Sequence, residues 1–253
     1  MSSIDLNCDM GEVPEAIADG TQESLMPFLT SVNVACGGHA GDERTMAATI
    51  EQAVRWKLTI GAHPGYPDRL NFGRLELNLP AEAISDFVFQ QISTLARIAA
   101  ERGVRLAHVK PHGALYNQAA NSRELAAAIA HGAARVSQDL VLVGLAGSPM
   151  LRVFRDAGFA IAAEAFADRL YERDGTLRSR KYPDALLRDP AAASQQALRI
   201  AQRGTVIASD GSEVAVIAQT LCLHSDTPGA PQIAAAVAQA LRGSGIALCP
   251  VAS

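Results

Sequence analysis

Apolar and polar positions switch repeatedly between two periods along this chain. Short strand-like runs alternate with longer helical stripes. The strand-like runs fall at residues 4–8, 32–36, 58–62, 104–109, 140–145, 160–163, 205–208 and 221–223, with a closing run at 246–251. Asp42 precedes a stripe of Met46, Ile50 and Val54, predicting a capped helix that ends near Lys57. The clearest helix opens at Pro80, carries Ile84, Phe87, Val88, Gln91, Ile92, Leu95 and Ile98 on one stripe, and stops at Gly103. Asn121 and Glu124 have capping-box spacing for a helix through about Val136. Ser148-Pro149 opens a short helix to Asp156, Asp189-Pro190 one to Arg203, and Pro231 one closed by Gly243. Asp210-Gly211 predicts a turn that folds residues 205–208 and 214–217 into a hairpin.

Strands alternating with helices imply parallel strands joined by helical crossovers. The chain offers seven or eight such units, and polar groups follow nearly every strand. A doubly wound open sheet would instead gather its ligands at one switch point. The expectation is therefore an α/β fold, a single (β/α) barrel of seven or eight strands over residues 1–253. No Pro/Gly/Ser-rich linker or short-period repeat argues for a second domain.

Charge and cysteine usage narrow the function classes. The net charge is −4 and the basic residues are dispersed, which argues against nucleic acid and leaves a small anionic substrate dependent on local positive charge. Cys8, Cys36, Cys222 and Cys249 lie far apart beside apolar runs and read as buried, reduced thiols. No signal-peptide pattern or membrane-length apolar run is present, so a cytoplasmic protein without a membrane partner is expected.

The strand ends carry the candidate chemistry. Residues 108–117 place Lys110, His112, Tyr116 and Asn117 where an apolar run opens into a loop. Lys110 and His112, two residues apart, share one face of extended chain, as do Asn7 and Asp9. A carboxylate such as Asp9 at a barrel mouth is a candidate general base or metal ligand, or a loop cap beside a helix-starting Glu12. Asn33, His39 and Asp42 flank Gly37, Gly38 and Gly41, a loop whose backbone N–H groups are free to approach a ligand, though it lacks a phosphate-loop signature. His63 ends the third strand, with Asp68 and Arg74 as pocket-shaping residues. His224 and Asp226 repeat the two-residue spacing and suggest a histidine held by a carboxylate. The long polar excursion between Glu164 and Asp189, which contains Asp168 and Arg169, has the length of a functional loop. No contiguous zinc motif exists, so a metal would have to gather Asp9, His39, His63 or His112 from separate strands. Nothing marks a serine elbow or a Cys/His nucleophile pair.

Taken together, residues 5–12, 31–42, 61–68, 108–117, 164–171 and 222–228 resemble the LamB/YcsF family, the A subunits of bacterial ATP-dependent 5-oxoprolinase. Ser225 stands where a smaller residue is usual, and Gly38 where a larger one is. The resemblance implies a barrel of the glycoside hydrolase/deacetylase type. It also implies ring opening of 5-oxo-L-proline to L-glutamate, coupled to ATP hydrolysis, with subunits B and C. ATP, with magnesium, is then a co-substrate, and a divalent metal is a further candidate at Asp9, His39 and His63. Asp9, His39, His63, Lys110 and His112 are the expected catalytic residues. Asp168, Arg169, His224 and Asp226, with Asn7 and Asn33 at the strand ends, are the expected substrate contacts. Two other functions fit the same residues: a stand-alone metal-dependent carbohydrate deacetylase or hydrolase, and a non-catalytic subunit that binds and delivers substrate. A homo-oligomer fits any of the three.

Overall fold

The computed structural model describes residues 3–252. In chain order the elements are β1 (Ser3–Met10), α1 (Pro14–Ala18), a 3-10 turn (Glu23–Phe28), β2 (Ser31–Ala35), α2 (Glu43–Arg55), β3 (Thr59–His63) and α3 (Ala81–Ala100). Then follow β4 (His108–Val109), α4 (Gly113–Asn121), α5 (Arg123–Ala134), β5 (Val141–Leu145), α6 (Pro149–Asp156) and β6 (Ala160–Phe166). The last are α7 (Pro190–Arg203), β7 (Thr205–Ile207), β8 (Glu213–Ala215), β9 (Thr220–Leu223), α8 (Ala230–Gly243) and β10 (Ala247–Leu248). Strands β1 to β6 and then β9 pair in parallel, and β9 returns to β1, closing a seven-stranded barrel.

Closure explains where strands fall short of expectation. The outer edge of β1 is divided: Ser3 and Ile4 pair with β10, and Asp5 through Cys8 pair with β9. The run expected over 246–251 therefore pairs at only two residues, because β9 occupies the rest of that edge and Pro250 has no N–H to donate. Cys249, just past β10, is exposed, which corrects the expectation of four buried thiols; Cys8, Cys36 and Cys222 are buried. The predicted hairpin forms as β7 and β8, but it stands outside the barrel. The seventh barrel strand is β9, because β6 pairs with it directly and leaves no edge for β7. The run at 104–109 yields only the two-residue β4, flanked by β3 and β5.

Helix ends follow their caps. Asp42 accepts from the Thr45 amide while the Thr45 hydroxyl accepts from the Asp42 amide, a reciprocal cap on α2. The expected cap of α5 by Asn121 is corrected: Asn121 ends α4, and Ser122 accepts from the Leu125 amide. Helix α4 itself occupies a stretch read as loop. Its helix-forming Ala114 to Ala120 lies behind Gly113, whose φ of 54° masks the start. The α3 stripe Ile84, Val88, Ile92 and Leu95 is fully buried.

The barrel lumen is polar on its β1, β2 and β9 side, while Val141, Val143 and Ala162 of β5 and β6 form a small separate apolar cluster. Along β1 the alternation sends Leu6, Cys8 and Met10 into the apolar core and leaves Asp5, Asn7 and Asp9 to the lumen. Asp5 accepts from the hydroxyls of Thr30, Ser31 and Thr220. Asn7 donates to Thr220 Oγ1 at 2.6 Å and Glu164 Oε1 at 3.2 Å, and Asn33 donates to Asn7 Oδ1 at 2.8 Å. Side chains of the consecutive strands β2, β1, β9 and β6 are thus linked, and the column they form ends at Asp9.

Candidate active site

At the C-terminal ends of the strands lies a cavity of about 400 Å³. Asp9, Glu12, His63, Lys110 and His112 line it within, and Arg74, Arg169, Arg180 and Asp226 line it farther out. Asp9 Oδ1 accepts from Asn33 Nδ2 at 2.8 Å and from Lys110 Nζ at 2.9 Å. Its other oxygen lies 3.2 Å from His63 Nε2. Burial alone pushes Asp9 up, but His63 and Lys110 hold it well below the usual carboxylate range. Lys110 also meets Cys222 Sγ at 2.9 Å and Glu164 Oε1 at 3.0 Å, so its three N–H groups are all engaged. Burial opposes its charge; Asp9, Cys222 and Glu164 outweigh that and keep it protonated.

Three histidines and one glutamate gather beside Asp9. His63 Nδ1 is 2.7 Å from the Lys110 carbonyl and His112 Nε2 is 2.9 Å from the Phe72 carbonyl. A carbonyl oxygen only accepts, so those ring nitrogens carry hydrogen. The opposite nitrogens, His63 Nε2 and His112 Nδ1, then face each other at 2.9 Å. Phe72 presents its carbonyl from the left-handed region, at φ 55°, which a non-glycine residue adopts at a cost. Glu12 Oε1 lies 3.3 Å from His112 Nδ1, 3.8 Å from His63 Nε2 and 2.9 Å from His39 Nε2. His39 stacks on His112 with centroids 3.6 Å apart, and its Nδ1 is buried without a partner. Burial, then neighbouring positive charge, pushes His39 and His112 well down. His63 goes up: burial opposes its charge and Asp9 prevails. Glu12 goes up as well, its burial outweighing the pull of His112.

His108 lies deeper, with Nε2 2.7 Å from Asn33 Oδ1, and orients that amide toward Asp9. Its ring lies across Gly61, where a Cβ would come within 2.1 Å of Nε2; only glycine leaves room. Burial and then Lys110 push His108 down to about 3. Unfolded histidine titrates near 6.5, so below that pH the unfolded chain binds a proton the folded chain refuses, and stability falls as pH falls. Relative to His108→Gln, whose amide also donates to Asn33, the wild type loses about 1.4 kcal/mol more per pH unit between roughly pH 6 and 4. Denaturant unfolding across that window reads the difference in slope, and parallel curves would refute a neutral His108.

Of the other expected residues, His224 is held by Asp168, not Asp226: Nδ1 lies 2.9 Å from Asp168 Oδ1, and the His224 amide donates to Oδ2 at 2.9 Å. Burial raises Asp168, but His224 pulls it below its usual value. Asp226 instead accepts from Arg74 at 2.7 Å and Arg180 at 3.3 Å. Arg169 donates to the carbonyls of Ala185 and Arg178. Tyr116 and Asn117 line the cavity from α4. Ser225 donates to the Asp9 carbonyl at 2.9 Å. Asp68 caps its own turn through Asn71, and it is Arg69 that ties the glycine loop, through the carbonyls of Gly37 and Gly41. Those glycines lie outside the cavity lining; Gly38 packs on Gln91 and Gly65 instead.

Glu12 and Glu164 are site residues that residue order did not single out. Strand β6 runs three residues past its expected end and carries Glu164 to Lys110. A single carboxylate in an otherwise apolar stretch was the available signal. Glu12 follows Gly11, whose φ of 78° turns the chain toward the histidines; the signal there was only that glycine. Among the described residues, no helix is long and apolar enough to cross a membrane.

Known proteins of similar sequence match nearly the whole chain. The A subunit of 5-oxoprolinase from Chloroflexus aggregans is 50% identical over 246 residues, covering 97% of this chain and 98% of that protein. Its counterpart from Bacillus cereus, also a 5-oxoprolinase A subunit, is 43% identical over 250 residues, covering 98% and 99%. The crystal structure of a lactam utilization protein from Thermus thermophilus superposes with a TM-score of 0.90 at 40% identity, over 98% of this chain and 99% of that one. With the LamB/YcsF family model matching residues 4–253, the chain belongs to the LamB/YcsF family.

Proposed function

We propose that this chain is the lactam-handling barrel of an ATP-dependent 5-oxoprolinase, opening 5-oxo-L-proline to L-glutamate together with subunits B and C. ATP, with magnesium, is its co-substrate. The observation that carries this reading is the ionised Asp9, held by Lys110 and facing His63, within a cavity that has arginines around it. The relatives, named as one subunit of an enzyme, support a multisubunit assembly.

A five-membered lactam is a stable amide. Opening it near neutral pH requires an activated carbonyl, a positioned water and a protonated leaving nitrogen. Phosphoryl transfer from ATP to the lactam oxygen meets the first need. Water, deprotonated by Asp9 with His63, adds to the ring carbonyl carbon. Cleavage of the C–N bond then leaves an acyl phosphate, which a second water converts to glutamate and phosphate. The nitrogen must take a proton as it departs, or the tetrahedral centre expels phosphate and regenerates the lactam. His63 Nε2, 3.2 Å from Asp9, is placed to pass on the proton taken from that water.

Lys110 has no N–H to spare and the Arg169 guanidinium is tied to two backbone carbonyls. The substrate carboxylate is therefore assigned to Arg74 and Arg180, the partly exposed pair that Asp226 holds in place. Glutamate release from 5-oxoproline and ATP tests the whole reading, measured with the purified chain alone and mixed with subunits B and C. Release only in the mixture is the expected result. Release in neither overturns it.

A further inference from the structure

We infer that Glu12, His63 and His112 form a binding site for one divalent transition-metal ion, zinc being the best match, with His39 holding Glu12 in position.

Backbone carbonyls fix the tautomers of both histidines from outside the pair. The Lys110 carbonyl fixes hydrogen on His63 Nδ1, and the Phe72 carbonyl fixes hydrogen on His112 Nε2. Carbonyl acceptors on the outer nitrogen are the arrangement that orients metal-binding imidazoles. The two inner nitrogens then face each other across 2.9 Å, a contact that is favourable only with a proton or a metal cation between them. A carboxylate oxygen, Glu12 Oε1, completes the triangle from the third side.

Size and donor chemistry agree. Tetrahedral zinc, with ligand bonds of roughly 2.0–2.1 Å, separates its ligand atoms by about 3.4 Å. The three edges here, 2.9, 3.3 and 3.8 Å, scatter around that value. Two neutral imidazoles and one carboxylate match zinc, with a fourth position left for water or a ligand. The site differs from the trio that strand ends alone suggested: Asp9 Oδ1 is taken by Lys110 and Asn33 and Oδ2 faces His63, while Glu12 reaches both His63 and His112. His39 Nε2, 2.9 Å from Glu12 Oε1, orients that carboxylate from outside. The Phe72 backbone, held in its left-handed conformation to meet His112, is the kind of local strain that built sites retain.

The site is a property of this chain alone, and a metal on His63 Nε2 takes the place of the proton that the ring-opening reading puts there. The full chain, stripped with chelator and dialysed, is titrated with zinc and separately with cobalt(II), with bound metal, melting temperature and the visible spectrum as readouts. About one ion per chain, a raised melting temperature and a cobalt spectrum without a thiolate charge-transfer band are expected. Cys249→Ser, which removes the exposed thiol, keeps all three. His112→Gln and Glu12→Gln abolish the metal-dependent rise, and His39→Gln weakens binding roughly ten- to a hundredfold. Three outcomes overturn the inference: no bound ion at micromolar zinc, undiminished binding by folded His112→Gln or Glu12→Gln, or a thiolate band implicating Cys36 or Cys222. Where a variant fails to fold, the wild-type cobalt spectrum decides, and a spectrum lacking nitrogen-ligated cobalt counts against the site.

Discussion

Asp9→Asn lowers the turnover of the assembled 5-oxoprolinase complex by roughly 10²- to 10⁴-fold, the range expected when a general base is removed. The substitution is nearly isosteric. The amide oxygen still accepts from Lys110 and Asn33, and Lys110 keeps Glu164 as a charged partner, so the barrel stays folded. What disappears is the negative charge facing His63, and with it both the proton acceptor for water and the charge that raises His63. Glutamate production at saturating substrate is the measurement, with melting temperature as the control for folding. If kcat stays normal and only KM rises, Asp9 is a binding residue and the chain delivers substrate for chemistry done elsewhere.

The second large effect is on stability. Lys110→Met leaves the Asp9 and Glu164 carboxylates close together in the lumen without their shared cation. Removing one partner of a buried ion pair costs about 3–5 kcal/mol, and the melting temperature should fall by on the order of 10 °C. The loss comes from stranded charge, so Lys110→Met combined with Glu164→Gln should be more stable than Lys110→Met alone. Thermal unfolding of the four corners of that cycle gives the coupling directly. A wild-type melting temperature for Lys110→Met would mean that the carboxylates take up protons or water without penalty and that the triad holds nothing together.

Much of this arrangement could be read from residue order, because strand ends in a barrel converge whatever their distance along the chain. Asp9, His63, Lys110 and His112 each follow an apolar run, and the barrel brings all four to one cavity. Facing is less legible than position. The stretch 160–166 is apolar except for Glu164, and no alternation within it reveals that this one carboxylate points inward. Partner choice is less legible still. Proximity in sequence favours His224 with Asp226, yet the contact is made by Asp168, brought alongside by the β6–β9 pairing. The start of α4 was hidden for a backbone reason, since Gly113 adopts a positive φ before an ordinary helical sequence begins. The two-residue β10 follows from the sharing of the β1 edge with β9, which no local pattern encodes.

The division of the β1 edge between β9 and β10 bears on how the molecule is made. β1, with Asp5, Asn7 and Asp9, leaves the ribosome well before the strand that joins it to β6, which ends at Leu223. Until β9 is made no strand joins β1 to β6, so any sheet formed before it is open, with the polar side chains of its future lumen still in water. That keeps the unfinished sheet hydrated on one face and blunts its tendency to associate with other nascent chains. It also means that a truncated product ending before β9 lacks the strand that joins β1 to β6 and cannot close the lumen around Asp9.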